Sequence, residues 1–185
     1  MVIVVSLFFL TACGRSPDSQ FYLLSPLPPQ HHKVKSYKEL RIGITQINSP
    51  AFTRKPEFII HHSKNRVELD EFHRWAELLH NNIQEVIVAN LMTLLPHALI
   101  LNTPWDSKFN QSYQLRIDIS QFEVDIYGHS VLRADYLIYN ADGVSQKGTL
   151  YYHRKAPRTT VDALVASMND NLNRLCVDIA KKLAF

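Results

Sequence analysis

The chain has 185 residues, 46% of them hydrophobic, with 20 Lys and Arg against 17 Asp and Glu, for a net charge of +3. That length suits one ordinary domain, and the charges are spread along the chain with no like-charged block, which speaks against a nucleic-acid stripe. Only five Gly serve the sequence, and no G-x-S-x-G, P-loop or G-x-G-x-x-G occurs, so the common hydrolase and nucleotide signatures are excluded.

Met1 to Leu10 (MVIVVSLFFL) is apolar and uncharged. It is too short to span a bilayer, which needs about 20 residues, and has the length of a signal-peptide h-region. No Lys or Arg precedes it, a departure from the basic n-region of such peptides. Leu10-Thr11-Ala12-Cys13 follows, a Leu and two small residues before a Cys: the lipobox of bacterial lipoproteins. Small residues admit the backbone to a peptidase groove, and the thiol takes the diacylglycerol. The expected organisation is a signal peptide over 1–12, a lipidated tether over 13–20 starting at Cys13, and one domain over 21–185. The covalent lipid on Cys13 is the only cofactor expected.

Phe21–Leu24 reads as a short strand. Ser25–Lys38 holds Pro26, Pro28 and Pro29 and reads as an exposed loop. Leu40–Ile47 alternates as a half-buried strand. Asn48–Pro56 is a loop, and Glu57–His62 with Arg66–Leu69 forms a hairpin turning at Ser63-Lys64-Asn65. A helix is expected from Glu71 to Leu95, with Asp70 as N-cap, Phe72, Trp75, Leu79, Ile83, Val86 and Leu94 at helical spacing, and Pro96 as its stop. Ala98–Leu101 is a short buried strand. Leu115–Tyr127 alternates with a phase flip between Ile119 and Phe122, which predicts a β-bulge. Val131–Asn140 and Gly148–Lys155 complete a three-stranded meander. Thr160–Leu183 is an amphipathic helix with Val161, Leu164, Val165, Met168, Leu172, Leu175 and Ile179 on one face. The fold class is α+β: a single mixed or antiparallel sheet with two long helices on one face.

Nine His raise a metal or catalytic reading. His31-His32 and His61-His62 are doublets, and His73 and His80 share a helix face at too wide a spacing for a motif such as H-E-x-x-H. Solvated imidazoles are expected, with no metal. Asp118 and Asp125 read as part of a polar sheet face, and Cys176, between Leu175 and Val177, as a buried inert thiol. On the expected helix Arg74 and Glu77 are three apart and can pair. Trp and Arg are common interface anchors, but Trp75 reads first as core. No catalytic residue is assigned.

The lipobox, Phe21-Tyr22-Leu23-Leu24, Ile42-Gly43-Ile44, the hairpin into Asn65-Arg66-Val67-Glu68, and Glu71-Phe72-His73-Arg74-Trp75-Ala76-Glu77 together resemble the ABC-type transport auxiliary lipoproteins. The likeness is strongest from Tyr22 to Leu91, and Arg74-Trp75-Ala76-Glu77 is its most specific part. The family often has Pro after that Glu, where Leu78 stands here. Tyr22, Arg74, Trp75 and Glu77 are then family-motif residues with a structural role. The resemblance implies an outer-membrane lipoprotein that works with an MCE-domain periplasmic protein and inner-membrane transport components. It implies docking or scaffolding without catalysis, with a ring of identical subunits as one form. Gly14 lacks the Asp that retains lipoproteins at the inner membrane. Partner contact is expected in the loops Gln30–Lys38 and Asn48–Pro56, at Phe52, Arg54 and Lys55, with Phe52 the leading anchor unless it tucks under its own loop. Two other classes stay open. One is a lipid carrier with a cavity lined by Phe72, Leu79, Val124 and Tyr136. The other is an envelope-integrity lipoprotein with no transport partner.

Overall fold

In the computed structural model, residues 18–29, 35–106 and 108–184 are described; the expected signal peptide, Cys13 and the His31-His32 doublet lie outside them. The class is α+β as expected, but with two sheets. The larger has five strands: β2 (Arg41–Asn48), β5 (Leu99–Asn102), β6 (Tyr113–Val124), β7 (His129–Asn140) and β8 (Gly143–Lys155), in the order β5-β2-β6-β7-β8. β2 runs parallel to β5 and β6, and β6, β7 and β8 form an antiparallel meander. The smaller has β1 (Gln20–Tyr22), β3 (Glu57–Ser63) and β4 (Arg66–Trp75), in the order β1-β4-β3. A single sheet is not formed because β4 is paired on both edges, by β1 and β3, and β2 on both of its own, by β5 and β6. One bridge, His61 to Asp125, links the two sheets.

The helices α1 (Leu79–Leu94) and α2 (Val161–Leu183) lie over one face of the larger sheet. In β6, Leu115, Ile117 and Ile119 point inward; then Ser120 is an extra residue against β7, and Phe122 and Val124 continue inward. The phase flip in the sequence is therefore a bulge, which keeps both halves of a long strand apolar toward the helices. α2 buries Val161, Leu164, Val165, Met168, Leu172, Leu175 and Ile179. Asp162 in its first turn and Lys181 and Lys182 in its last suit the helix dipole. Gly43 of β2 lies under the Trp105 indole so closely that a Cβ would stand 2.9 Å from the ring. No helix among the described residues is long and apolar enough to cross a membrane.

The expected helix start at Glu71 is corrected. Residues 71–75 belong to β4, and α1 begins at Leu79 after a bend at Ala76-Glu77. Phe72 and Trp75, three apart, fit a helix, but tertiary pairing decides: Gln20, Phe21 and Tyr22 run parallel to His73, Arg74 and Trp75, and the Trp75 and Ala76 amides donate to the carbonyls of Pro56 and Tyr22 at 2.8 and 2.9 Å. Asp70 is not a helix N-cap. Its carboxylate takes the amides of Phe72 and His73 at 3.0 and 3.1 Å, inside the stretch where β4 carries extra residues relative to β3. Nor do His73 and His80 share a helix face, since one is on a strand and the other on α1.

Candidate functional site

Where the chain enters the domain, its backbone is held by asparagines of the two helices. The Leu24 amide donates to Asn82 Oδ1 at 2.6 Å, and Asn82 Nδ2 returns a bond to the Leu24 carbonyl at 3.4 Å. The Ser25 amide donates to Asn169 at 2.8 Å and the Leu27 amide to Asn90 at 2.6 Å; Asn90 in turn donates to Asn173 at 2.8 Å. Asn82 and Asn90 are buried, so without these partners their amides would be costly. The last residue of the expected first strand, Leu24, and the start of the expected exposed loop, Ser25 to Leu27, form a strap tied to α1 and α2. Sequence reasoning missed this clamp. Its signal was two Asn in the apolar stripe Leu79, Ile83, Ile87, Leu91.

Tyr22 and Trp75 are brought together as a register pair, both against Phe58, with ring centroids 6.4 and 5.5 Å away. Burial, then the carboxylates of Asp162 and Asp70, raise the Tyr22 hydroxyl above its ordinary pKa. It stays protonated and donates to Gln20 at 2.8 Å. Arg74 does not pair with Glu77. It reaches Glu57 across the strands at 3.4 Å, because β4 is extended there, and Glu77 sits half-buried in the bend before α1.

Phe52 lies in a short 3-10 turn, Ala51–Arg54. Its ring is half-buried and meets His61 edge-on at 6.4 Å. It closes, with Phe58, Trp75 and Met168 among others, around a gap of about 10 Å³. Arg54 and Lys55 stay exposed. The cavity expected for a lipid carrier is not formed by its four residues: Leu79, Val124 and Tyr136 are packed in the core, while Phe72 is exposed on β4.

At the junction of the sheets, imidazoles and carboxylates line a concavity of about 210 Å³. His61 lies 3.3 Å from Glu123, and His129 Nδ1 3.0 Å from Asp125 and stacked on His153 at 5.1 Å between centroids. Burial pushes the Asp125 carboxyl up, but hydrogen bonds from His129 and the Tyr127 amide outweigh it and leave the pKa below its usual value. His62 and His73 also hold carboxylates, Glu68 and Asp70, at 2.5 and 2.7 Å. The expectation of simply solvated imidazoles is corrected at these positions. Among the described residues no group of three or more His, Cys, Asp or Glu is placed to hold a metal. Burial pushes the Cys176 thiol up to about 12, so it is not a nucleophile at neutral pH.

Residues 22–180 match the family model of the ABC-type transport auxiliary lipoprotein component. No protein of curated function matches the chain. Among solved structures, an uncharacterised protein superposes with a TM-score of 0.75 at 17% identity, covering 90% of this chain and 99% of that one. A Xanthomonas campestris protein superposes with a TM-score of 0.72 at 12% identity, covering 88% and 93%. At such identities these likenesses show the fold.

Proposed function

Since the chain belongs to the ABC-type transport auxiliary lipoprotein family, we propose that it is the lipid-anchored docking subunit of an MCE-type intermembrane lipid transport system. In this reading it is held at the periplasmic face of the outer membrane through Cys13 and catalyses nothing itself. The observation that carries the reading is the family match over nearly the whole described domain, directly behind a lipobox. The three acyl chains of a mature lipoprotein bury dozens of CH₂ groups at about 0.8 kcal/mol each, enough for permanent anchoring. With the Phe52 ring turned inward, the exposed Arg54 and Lys55 beside it are the part of that loop free to meet a partner.

Two measurements test the proposal. Palmitate should label the wild-type protein and not Cys13→Ala, which should accumulate as unprocessed precursor; normal outer-membrane fractionation of Cys13→Ala would refute the anchor. Full-length protein extracted from membranes should bring down an MCE protein, less of it after Arg54→Glu with Lys55→Glu. Recovery of stoichiometric phospholipid inside the domain, with no MCE protein, would replace docking with the carrier function.

A further inference from the structure

We propose that the outer face of the three-stranded sheet is a membrane-contact surface that lays the domain against the same bilayer that holds its lipid; the proposal rests on the lipidation of Cys13 put forward above. Tyr22, Phe58 and Trp75 define the inner side of this sheet by their mutual contacts. Their strand neighbours Phe21, Arg74 and Ile59 therefore face outward, and the register sets Leu69 beside Ile59 and Val67 beside His61. Glu71 and Phe72, both exposed, lie between Asp70 and Arg74, where β4 carries extra residues and the alternation of faces is broken. Phe21 is 64% exposed, Val67 45%, Leu69 44% and Phe72 42%. Strands normally keep such residues from water, and a contiguous exposed apolar patch marks an interaction surface.

Tether length and charge identify the occupant. Phe21 is eight residues from Cys13, at most about 28 Å of extended chain. A domain of this size is about 40 Å across. The tether is thus shorter than the domain is wide, and it enters at β1, the edge of this sheet, so this face stays within reach of the headgroups. The acidic residues Glu68 and Asp70 pair in register with Ile60 and Phe58, on the opposite side, where His62 and His73 hold them. On the outward side Glu57 is paired with Arg74. Lys64 is exposed at the hairpin tip, and the Phe52–His61 contact sets the turn bearing Arg54 and Lys55 at the β3 border. An apolar centre with a basic rim is the pattern that seats on an anionic lipid surface, apolar side chains entering the headgroup boundary and cations meeting phosphate.

The test uses full-length lipidated protein in vesicles of phosphatidylethanolamine and phosphatidylglycerol. Leu69→Cys, Val67→Cys and, on the open face of the larger sheet, Thr149→Cys are each labelled with an environment-sensitive fluorophore. Cys13 is acylated and Cys176 buried, so each variant takes one label. Emission at 69 and 67 should shift to the blue and be lost to a quencher carried on phospholipid, while 149 behaves as in water. Labels at 69 and 67 as wet as 149, on a protein that carries palmitate, overturn the sheet contact and leave the anchor standing. A blue shift at 69 and 67 without quenching assigns the face to a protein surface and overturns the lipid contact. Absence of palmitate from the wild-type protein removes the tether argument and overturns the proposal together with the anchor.

Discussion

Along β6, the inward side chains Leu115, Ile117, Ile119, Phe122 and Val124 meet the helices, while Gln114, Arg116, Asp118, Gln121 and Glu123 face away. Along β4 the pattern is different. Trp75 is buried, yet Val67, Leu69 and Phe72 stand in the open beside Glu68 and Glu71. An antiparallel sheet with one covered face and one polar face is complete on its own. A sheet with apolar residues on both faces is complete only when something covers the second. The comparison separates residues that serve folding from residues left over for contact, and substitutions on the two sheets should separate in the same way.

The largest contrast is between Leu172 and Leu69. Leu172 of α2 is fully buried over the five-stranded sheet, and Leu172→Ala should cost about 2–5 kcal/mol through lost burial and a residual cavity. Leu69→Ala should change stability by no more than about 0.5 kcal/mol. Urea unfolding of both variants measures the difference. A loss below about 0.5 kcal/mol for Leu172→Ala would show that α2 does not pack as described.

A smaller effect is expected where the strap joins the two regions. Asn82→Ala leaves the buried Leu24 amide and carbonyl without their partners and should cost about 1–3 kcal/mol. Hydrogen exchange at the Leu24 amide should speed up with it. An unchanged exchange rate would mean that the strap is held by its prolines and not by the clamp.

The five-stranded half was legible because its signals are local: alternation in β6 and β7, a phase flip at the bulge, and a 3.6-residue stripe in α2. β8 starts at Gly143, ahead of the expected Gly148, because Val144 and Lys147 show no apolar alternation and are held by pairing with Tyr139 and Leu137. The β4 error has a similar origin. Glu71-Phe72-His73-Arg74-Trp75 fits a helical repeat, and partners distant in sequence, Gln20–Tyr22 on one edge and Pro56-Glu57 on the other, make it extended. Of the candidate residues, Tyr22 and Trp75 could be named from their motif, but their pairing with each other could not, because nothing local specifies a parallel register. The Asn82 clamp was visible only as polar residues on an apolar stripe, which does not say what they bind. Of the exposed apolar residues of β4, Phe72 was hidden by the helical reading, whereas Val67 and Leu69 lay in the expected hairpin, whose pattern does not say that they stay uncovered.

The smallest expected effect lies at the junction of the two sheets and depends on pH. The Asp125 carboxylate accepts the amides of Tyr127 and His129, each at 2.9 Å, and the His129 imidazole at 3.0 Å, which closes the β6–β7 turn beside the bridge to His61. Its folded pKa lies below the ordinary carboxylate value. A depressed carboxyl pKa means that the unfolded state takes up a proton first as pH falls. The stabilisation is therefore complete above about pH 4–5 and is lost as pH drops through the ordinary value toward the lowered folded one. Asp125→Asn keeps an oxygen acceptor for the amides and loses the charge. At neutral pH it should cost about 1 kcal/mol or less, the carboxylate being partly exposed. The gap between wild type and variant should narrow steadily in unfolding experiments carried below pH 4. A gap that stays constant down to pH 2 would show that the charge of Asp125 contributes nothing to joining the sheets, and that the turn is held by its backbone geometry, with Gly128 at φ 87°, alone.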